Sequence, residues 1–89
     1  MKKFFVYLIA TKTNKKYITY VGYSADVKKR ISLHNSSKGA KFTRGRRWFL
    51  VFTKNYDNRT IALQEEYKLK KNYFKRQKLL NDFLKNKDI

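Results

Sequence analysis

FFVYLIATKTNKKYITYVGY, residues 4–23, is the stretch on which the fold turns. Phe4 to Ala10 is apolar with aromatic and β-branched members, which predicts a strand. Thr11 to Lys16 is a polar turn centred on Asn14. Tyr17 to Tyr23 is a second β-rich run, so the two strands form a hairpin. Gly22 inside the second run marks a bulge or a backbone that something approaches closely.

Beyond the hairpin the periodicity changes. Asp26 suits a helix N-cap or first-turn acid. Val27, Arg30, Ile31 and His34 follow at the spacing of one helix face. Ser36-Ser37-Lys38-Gly39 ends that helix. The loop from Lys38 to Arg47 carries five positive charges. Trp48 to Phe52 reads as a third, buried strand. Asn58 or Asp57 caps a helix from Arg59 to about Lys71, with Ala62, Leu63, Glu66, Tyr67 and Lys70 on one face and Glu65 turned to solvent. Asn72 breaks and caps, and a last helix from Tyr73 to about Leu84 is expected to bury Phe74, Leu80, Phe83 and Leu84. The order ββαβαα predicts an α/β fold, a small three-stranded antiparallel or mixed sheet flanked by helices. No proline, repeat or linker divides residues 1–89, which read as one domain.

Composition bounds the chemistry. Twenty-three Lys and Arg face six acids, a formal charge of +17. Such a charge repels itself unless a polyanion neutralises it, and nucleic acid is the commonest polyanion. There is no cysteine, which excludes disulfides and cysteine zinc sites. No apolar run approaches the roughly 20 residues of a membrane span. Met1-Lys2-Lys3 followed by Phe4 to Ala10 superficially suggests a leader, but polar Thr11 to Lys16 follows and no small-residue cleavage site is present. A soluble protein of the cytoplasm, nucleoid or nucleus, not a membrane binder, is the expectation.

The whole pattern resembles the GIY-YIG nuclease superfamily, and within it the small stand-alone single-domain members. Phe5-Val6-Tyr7 stands at the first motif and Tyr20-Val21-Gly22 at the second, with Phe5 in place of glycine and Val21 in place of isoleucine. Asp26 to Asn35 (DVKKRISLHN) resembles the helix with its arginine and histidine-asparagine pair. Lys38 to Arg47 (KGAKFTRGRR) resembles the basic loop of the subgroup, and Ala62 to Lys71 (ALQEEYKLKK) the helix carrying the metal carboxylate. Lys75 to Lys78 (KRQK) also fits. The resemblance spans about residues 4 to 80.

It implies hydrolysis of DNA phosphodiesters with Mg²⁺ or Mn²⁺. Carried over residue by residue, Glu66 is the metal ligand, whose hard oxygen suits Mg²⁺, and Arg30 contacts the scissile phosphate. Tyr7 is the general base with His34 taking its proton, and Tyr20 orients water or phosphate. The two tyrosine roles are open to exchange. A phenol needs a nearby cation and a hydrogen-bond acceptor to serve as a base near neutral pH. Lys38, Lys41, Arg44, Arg46 and Lys70 are expected to hold the nucleic-acid backbone without reading sequence. Asn81 corresponds to an asparagine that completes the metal or phosphate shell in some relatives.

Each residue also has a plain alternative. Glu66 is placed to pair with Lys70 four residues on, Arg30 to be a charged rim, the tyrosines to be core, and the loop to be merely solvated. At the level of the chain the alternatives are a noncatalytic basic DNA- or RNA-binding module on the same scaffold, or a component of a ribonucleoprotein whose Tyr and Phe stack on bases.

Overall fold

The computed structural model describes residues 3–87, so Met1 and Lys2 of the leader-like start lie outside it. Strand β1 (Phe4–Lys12) and strand β2 (Tyr17–Ser24) form the hairpin. Helix α1 (Val27–Asn35), a single 3₁₀ turn (Lys41–Thr43), strand β3 (Phe49–Tyr56) and helices α2 (Arg59–Lys71) and α3 (Tyr73–Lys87) follow. The sheet has three strands in the order β2-β1-β3, and both pairings are antiparallel, which removes the mixed alternative.

β1 is the central strand, and from Val6 to Thr11 it is buried on both faces. That is why its sequence is a continuous apolar run rather than an alternating one. Val6, Leu8 and Val21 face α2 and pack on Ala62 and Leu69. Tyr7, Ile9 and Trp48 face the other way, with Val27 and Ile31 of α1 and Tyr20 against them. Thus α1 and the basic loop cover one face, and α2 the opposite one.

The bulge lies in β3, not at Gly22. Register slips between Leu8 and Ile9, which pair with Phe52 and Leu50. The extra residue lets consecutive Val51 and Phe52 both pack on the α2 side while Leu50 faces α1. β3 is also an edge strand, so the expectation of a buried one fails: Trp48 alone in the WFLVF stretch is fully buried, and it precedes the strand.

Side chains close the helix ends. Asp26 accepts from the Lys29 amide, Asn58 from Ile61 and Asn72 from Lys75. α1 stops when Ser37 adopts φ 64°, with Lys38 and Ser37 amides donating to the Leu33 and His34 carbonyls. This is a Schellman stop in which serine fills the position glycine favours.

Two helix faces differ from expectation. On α2 the buried stripe is Ala62 to Leu69, with Glu65 and Glu66 half-buried beside it, while Leu63 and Tyr67 are exposed. A lysine-rich helix with few apolar residues supports two stripes, and packing on the sheet selects the one holding Leu69. On α3, Leu80 is buried but Phe74 is 83% exposed. Nine residues are about two and a half helical turns, so Phe74 and Phe83 point to opposite sides. Phe83 takes the inner side, stacking on Phe49.

Candidate active site at the β2 edge

Tyr7 stands opposite Gly22 in the β1–β2 register. With no side chain at Gly22, the Tyr7 ring lies across the neighbouring strand. A Cβ at Gly22 would come within 2.2 Å of the Tyr7 hydroxyl. The phenol thereby reaches the edge strand and meets α1.

There it hydrogen-bonds His34 Nε2 at 2.8 Å. On the far side of the ring, His34 Nδ1 and Thr43 Oγ1 are 2.8 Å apart. The Thr43 hydroxyl donates to the Ala40 carbonyl at 3.0 Å. With that proton committed, Nδ1–H donates to Thr43, and Nε2 is left as the acceptor for the Tyr7 O–H; the tautomer is assigned from this network. The ring also needs room: a Cβ on Gly39 would meet Nδ1 at 2.4 Å. Thr43 is further fixed by Trp48, whose indole N–H donates to its carbonyl at 3.0 Å.

The electrostatics follow from burial and one cation. Burial pushes the Tyr7 phenol above the ordinary tyrosine value; the nearby Arg30 guanidinium pulls against this, and Tyr20 and Glu66 add to the rise. Desolvation outweighs the guanidinium, so tuning of Tyr7 toward a lower value does not occur in the free protein. His34 is held below its usual value, first by burial and then by Arg30. It is therefore a neutral imidazole at neutral pH.

Arg30 is poorly satisfied by the protein. Its Nε is buried with no hydrogen-bond partner, and one terminal nitrogen lies 3.5 Å from the Gly39 carbonyl. Such a donor has capacity for an external acceptor. Tyr20 is half-buried, its ring edge-on to His34 at 5.2 Å and stacked on Phe42 at 5.9 Å.

Tyr7, Tyr20 and His34 thus meet directly, and the Arg30 guanidinium lies close enough for its charge to act on Tyr7 and His34. Glu66 approaches differently. It rides on α2, which packs on the other face, and its carboxylate is near enough for its charge to raise Tyr7. The plain pairing is formed: Lys70 Nζ lies 3.4 Å from Glu66 Oε1, and the Glu66 side chain is 18% exposed. Glu65, expected in solvent, is half-buried and pairs with Lys68 at 3.1 Å. Because β2 is an edge strand, groups from the two faces come together around it rather than through the sheet. Lys38, Lys41, Arg44 and Arg46 are exposed along the loop, and Asn81 is exposed on α3.

Sequence reasoning missed Thr43, Gly39 as a neighbour of His34, and Phe42. A threonine nine residues from a histidine carries no local signal; only the fold of the loop joins them.

A family model described as the GIY-YIG catalytic domain matches residues 3–80. The UPF0213 protein SSP2268 of Staphylococcus saprophyticus is 40% identical over 81 residues, 90% of this chain and 93% of that one. The UPF0213 protein YhbQ of Escherichia coli is 43% identical over 79 residues, 88% of this chain and 75% of that one. The solution NMR structure of the UPF0213 protein BH0048 from Bacillus halodurans, 34% identical, covers 90% of this chain and 83% of that chain with a TM-score of 0.48. The chain belongs to the GIY-YIG family, a superfamily of nucleic-acid-cutting domains, alongside the small UPF0213 proteins.

Proposed function

We propose that the protein is a divalent-metal-dependent endonuclease that hydrolyses DNA phosphodiester bonds, with structure-specific cutting in repair or recombination as its setting. The observation that carries this reading is the Tyr7–His34–Thr43 chain beside an arginine whose buried Nε has no partner.

Arg30 binds the scissile phosphate and stabilises charge added at phosphorus. Water gives its proton to the Tyr7 oxygen as the Tyr7 proton passes to His34 Nε2. The hydroxide-like oxygen forms the new P–O bond, the old one breaks, and the leaving oxygen takes a proton from solvent. Thr43 keeps His34 in the tautomer that can accept. Tyr20 orients the water or phosphate.

Glu66 fits a hard-cation site. It is one partly buried carboxylate near the reacting phenol, and among the described residues no group of three metal-ligating side chains exists. Mg²⁺ takes one or two carboxylates and keeps several waters, so water and phosphate would fill the rest. Such an ion, or Mn²⁺, supplies Lewis-acid stabilisation of the phosphoryl and leaving oxygens.

A second reading exchanges the tyrosines. Tyr7 is 1% exposed whereas Tyr20 is half-buried, which favours Tyr20 as the phenol that meets water. Cleavage of labelled single strands, flaps, junctions, overhangs and RNA, with Mg²⁺ or Mn²⁺ and with chelator, tests the function. Glu66→Gln is expected to abolish cutting while binding persists, and Arg30→Ala to slow it by about 10²–10³-fold. Equal cutting by Glu66→Gln and wild type would remove the carboxylate from the mechanism. Comparing pH–rate profiles of Tyr7→Phe and Tyr20→Phe identifies the base: the variant that loses the limb is the one that held it.

A further inference from the structure

The basic loop does more than carry charge. Phe42, in its 3₁₀ turn, is 53% exposed. It is nonetheless fixed: its ring stacks on Tyr20 at an interplanar angle of 20° and leans on Trp48 at 6.1 Å. The ring is thus held in place by its neighbours while about half of its surface stays free to take a further flat group.

The surroundings specify that group. Tyr20, Phe42, Lys70 and Arg76 line a cleft of about 300 Å³ along β2. This is the small end of ligand-site volumes, enough for one flat ring. Arg46 stands over the Phe42 ring at 5.9 Å, the outer reach of a cation–π contact, and is displaced from it at little cost. Arg76 is anchored by donating to the Leu69 and Lys70 carbonyls at the end of α2, which sets its charge at a fixed place. An aromatic face with Lys70 and Arg76 lining its cleft and Arg46 over the ring, in a chain of +17, is complementary to a base with phosphates on either side.

We propose that this cleft is a base-stacking subsite, in which one unpaired nucleotide lays its base on Phe42 while Arg46, Lys70 and Arg76 hold the flanking phosphates. It rests on the nucleic-acid reading of the neighbouring site and narrows the substrate to strands with an unpaired nucleotide next to the scissile bond. In a continuous duplex every base is stacked on its neighbours, so the ring would have nothing to cover it.

Fluorescence anisotropy in chelator, where no cutting occurs, tests it on wild type, Phe42→Ala, Phe42→Leu and Phe42→Trp. The probes are an oligothymidylate and an oligouridylate of about 12 nucleotides, an abasic strand of equal length, and a duplex. Phe42→Leu keeps apolar contact with Tyr20 and Trp48 but lacks the π face, so it separates stacking from folding. Loss of about 5- to 100-fold on at least one base-bearing strand by both truncations, with Phe42→Trp near wild type and abasic and duplex affinities unmoved, is the expected result. Whichever of the two base-bearing strands carries the loss names the sugar. Equal losses on the abasic strand, or none on either base-bearing strand, overturn the subsite alone. Failure of the wild type to bind any probe overturns the nucleic-acid reading as well.

Discussion

Thr43 shows how one buried hydroxyl governs a hydrogen-bonded pair, Tyr7 and His34. Its oxygen accepts from the Ala40 amide and from His34 while its proton goes to the Ala40 carbonyl. Thr43→Val keeps the shape and strands the imidazole Nδ1–H. A loss of about 1–3 kcal/mol in urea unfolding is expected, the cost of an unsatisfied buried donor. Cutting should fall further than stability alone explains, because nothing then fixes the tautomer. His34 also links stability to pH. Folded His34 is held below its ordinary value, so the unfolded chain binds more protons as pH drops below about 6.5. The His34 contribution is complete above that pH and declines as pH falls toward the folded value. Urea midpoints at about pH 7.5 and pH 5.5 should differ for wild type, and the difference should shrink in His34→Gln. At this scale helical spacing put Arg30 and His34 on one face, whereas Tyr7 and Tyr20 were singled out by resemblance to the family motifs, since a strand tyrosine by itself reads as packing. Thr43 and Phe42 were not legible, since their roles depend on how an irregular loop closes over α1.

At the scale of elements, the join between α1 and β3 is made by one side chain. Asn35 donates to the Trp48 carbonyl at 3.1 Å and accepts from its amide at 2.6 Å, as a strand neighbour would. It thereby sets where β3 begins and keeps Trp48 over Tyr20. Asn35→Ala removes both bonds, and a loss of about 1–3 kcal/mol is expected. Hydrogen exchange should quicken first at Trp48 and Thr43, whereas the β1–β2 amides should be unaffected at short times. Element order and most boundaries could be read from alternating patterns and capping residues: α2 begins after Asn58 and ends at Lys71, as its sequence says. Which side of α2 and α3 turned inward could not. Few apolar residues among many lysines leave a helix's rotation to the surface it meets, and that surface is assembled from all three strands.

The whole molecule is dominated by its charge. Twenty-three cations against six acids leave few internal partners, and Lys38, Lys41, Arg44 and Arg46 lie exposed on one loop beside the site. Binding should therefore weaken steeply with salt, log K falling linearly with log salt concentration. Lys41→Gln with Arg44→Gln should lower that slope by about 2 and weaken all sequences alike, since backbone contacts carry no sequence information. An unchanged slope would place the polyanion on another surface. The net charge could be counted from the residues alone; the meeting of two sheet faces around β2 could not, because strand order is a property of the assembled sheet.

Gly22 and Gly39 press on opposite ends of the Tyr7–His34 couple, each leaving a hollow that the other residue's ring fills. Neither needs to be glycine for its own backbone angles. Their emptiness is therefore conditional. Across descendants of this chain, a methyl group or larger at position 22 should accompany loss of the phenol at 7, and one at position 39 should accompany loss of the imidazole at 34. The two vacant positions thus keep a record, separate from the two rings themselves, of whether a lineage still holds the Tyr7–His34 hydrogen bond.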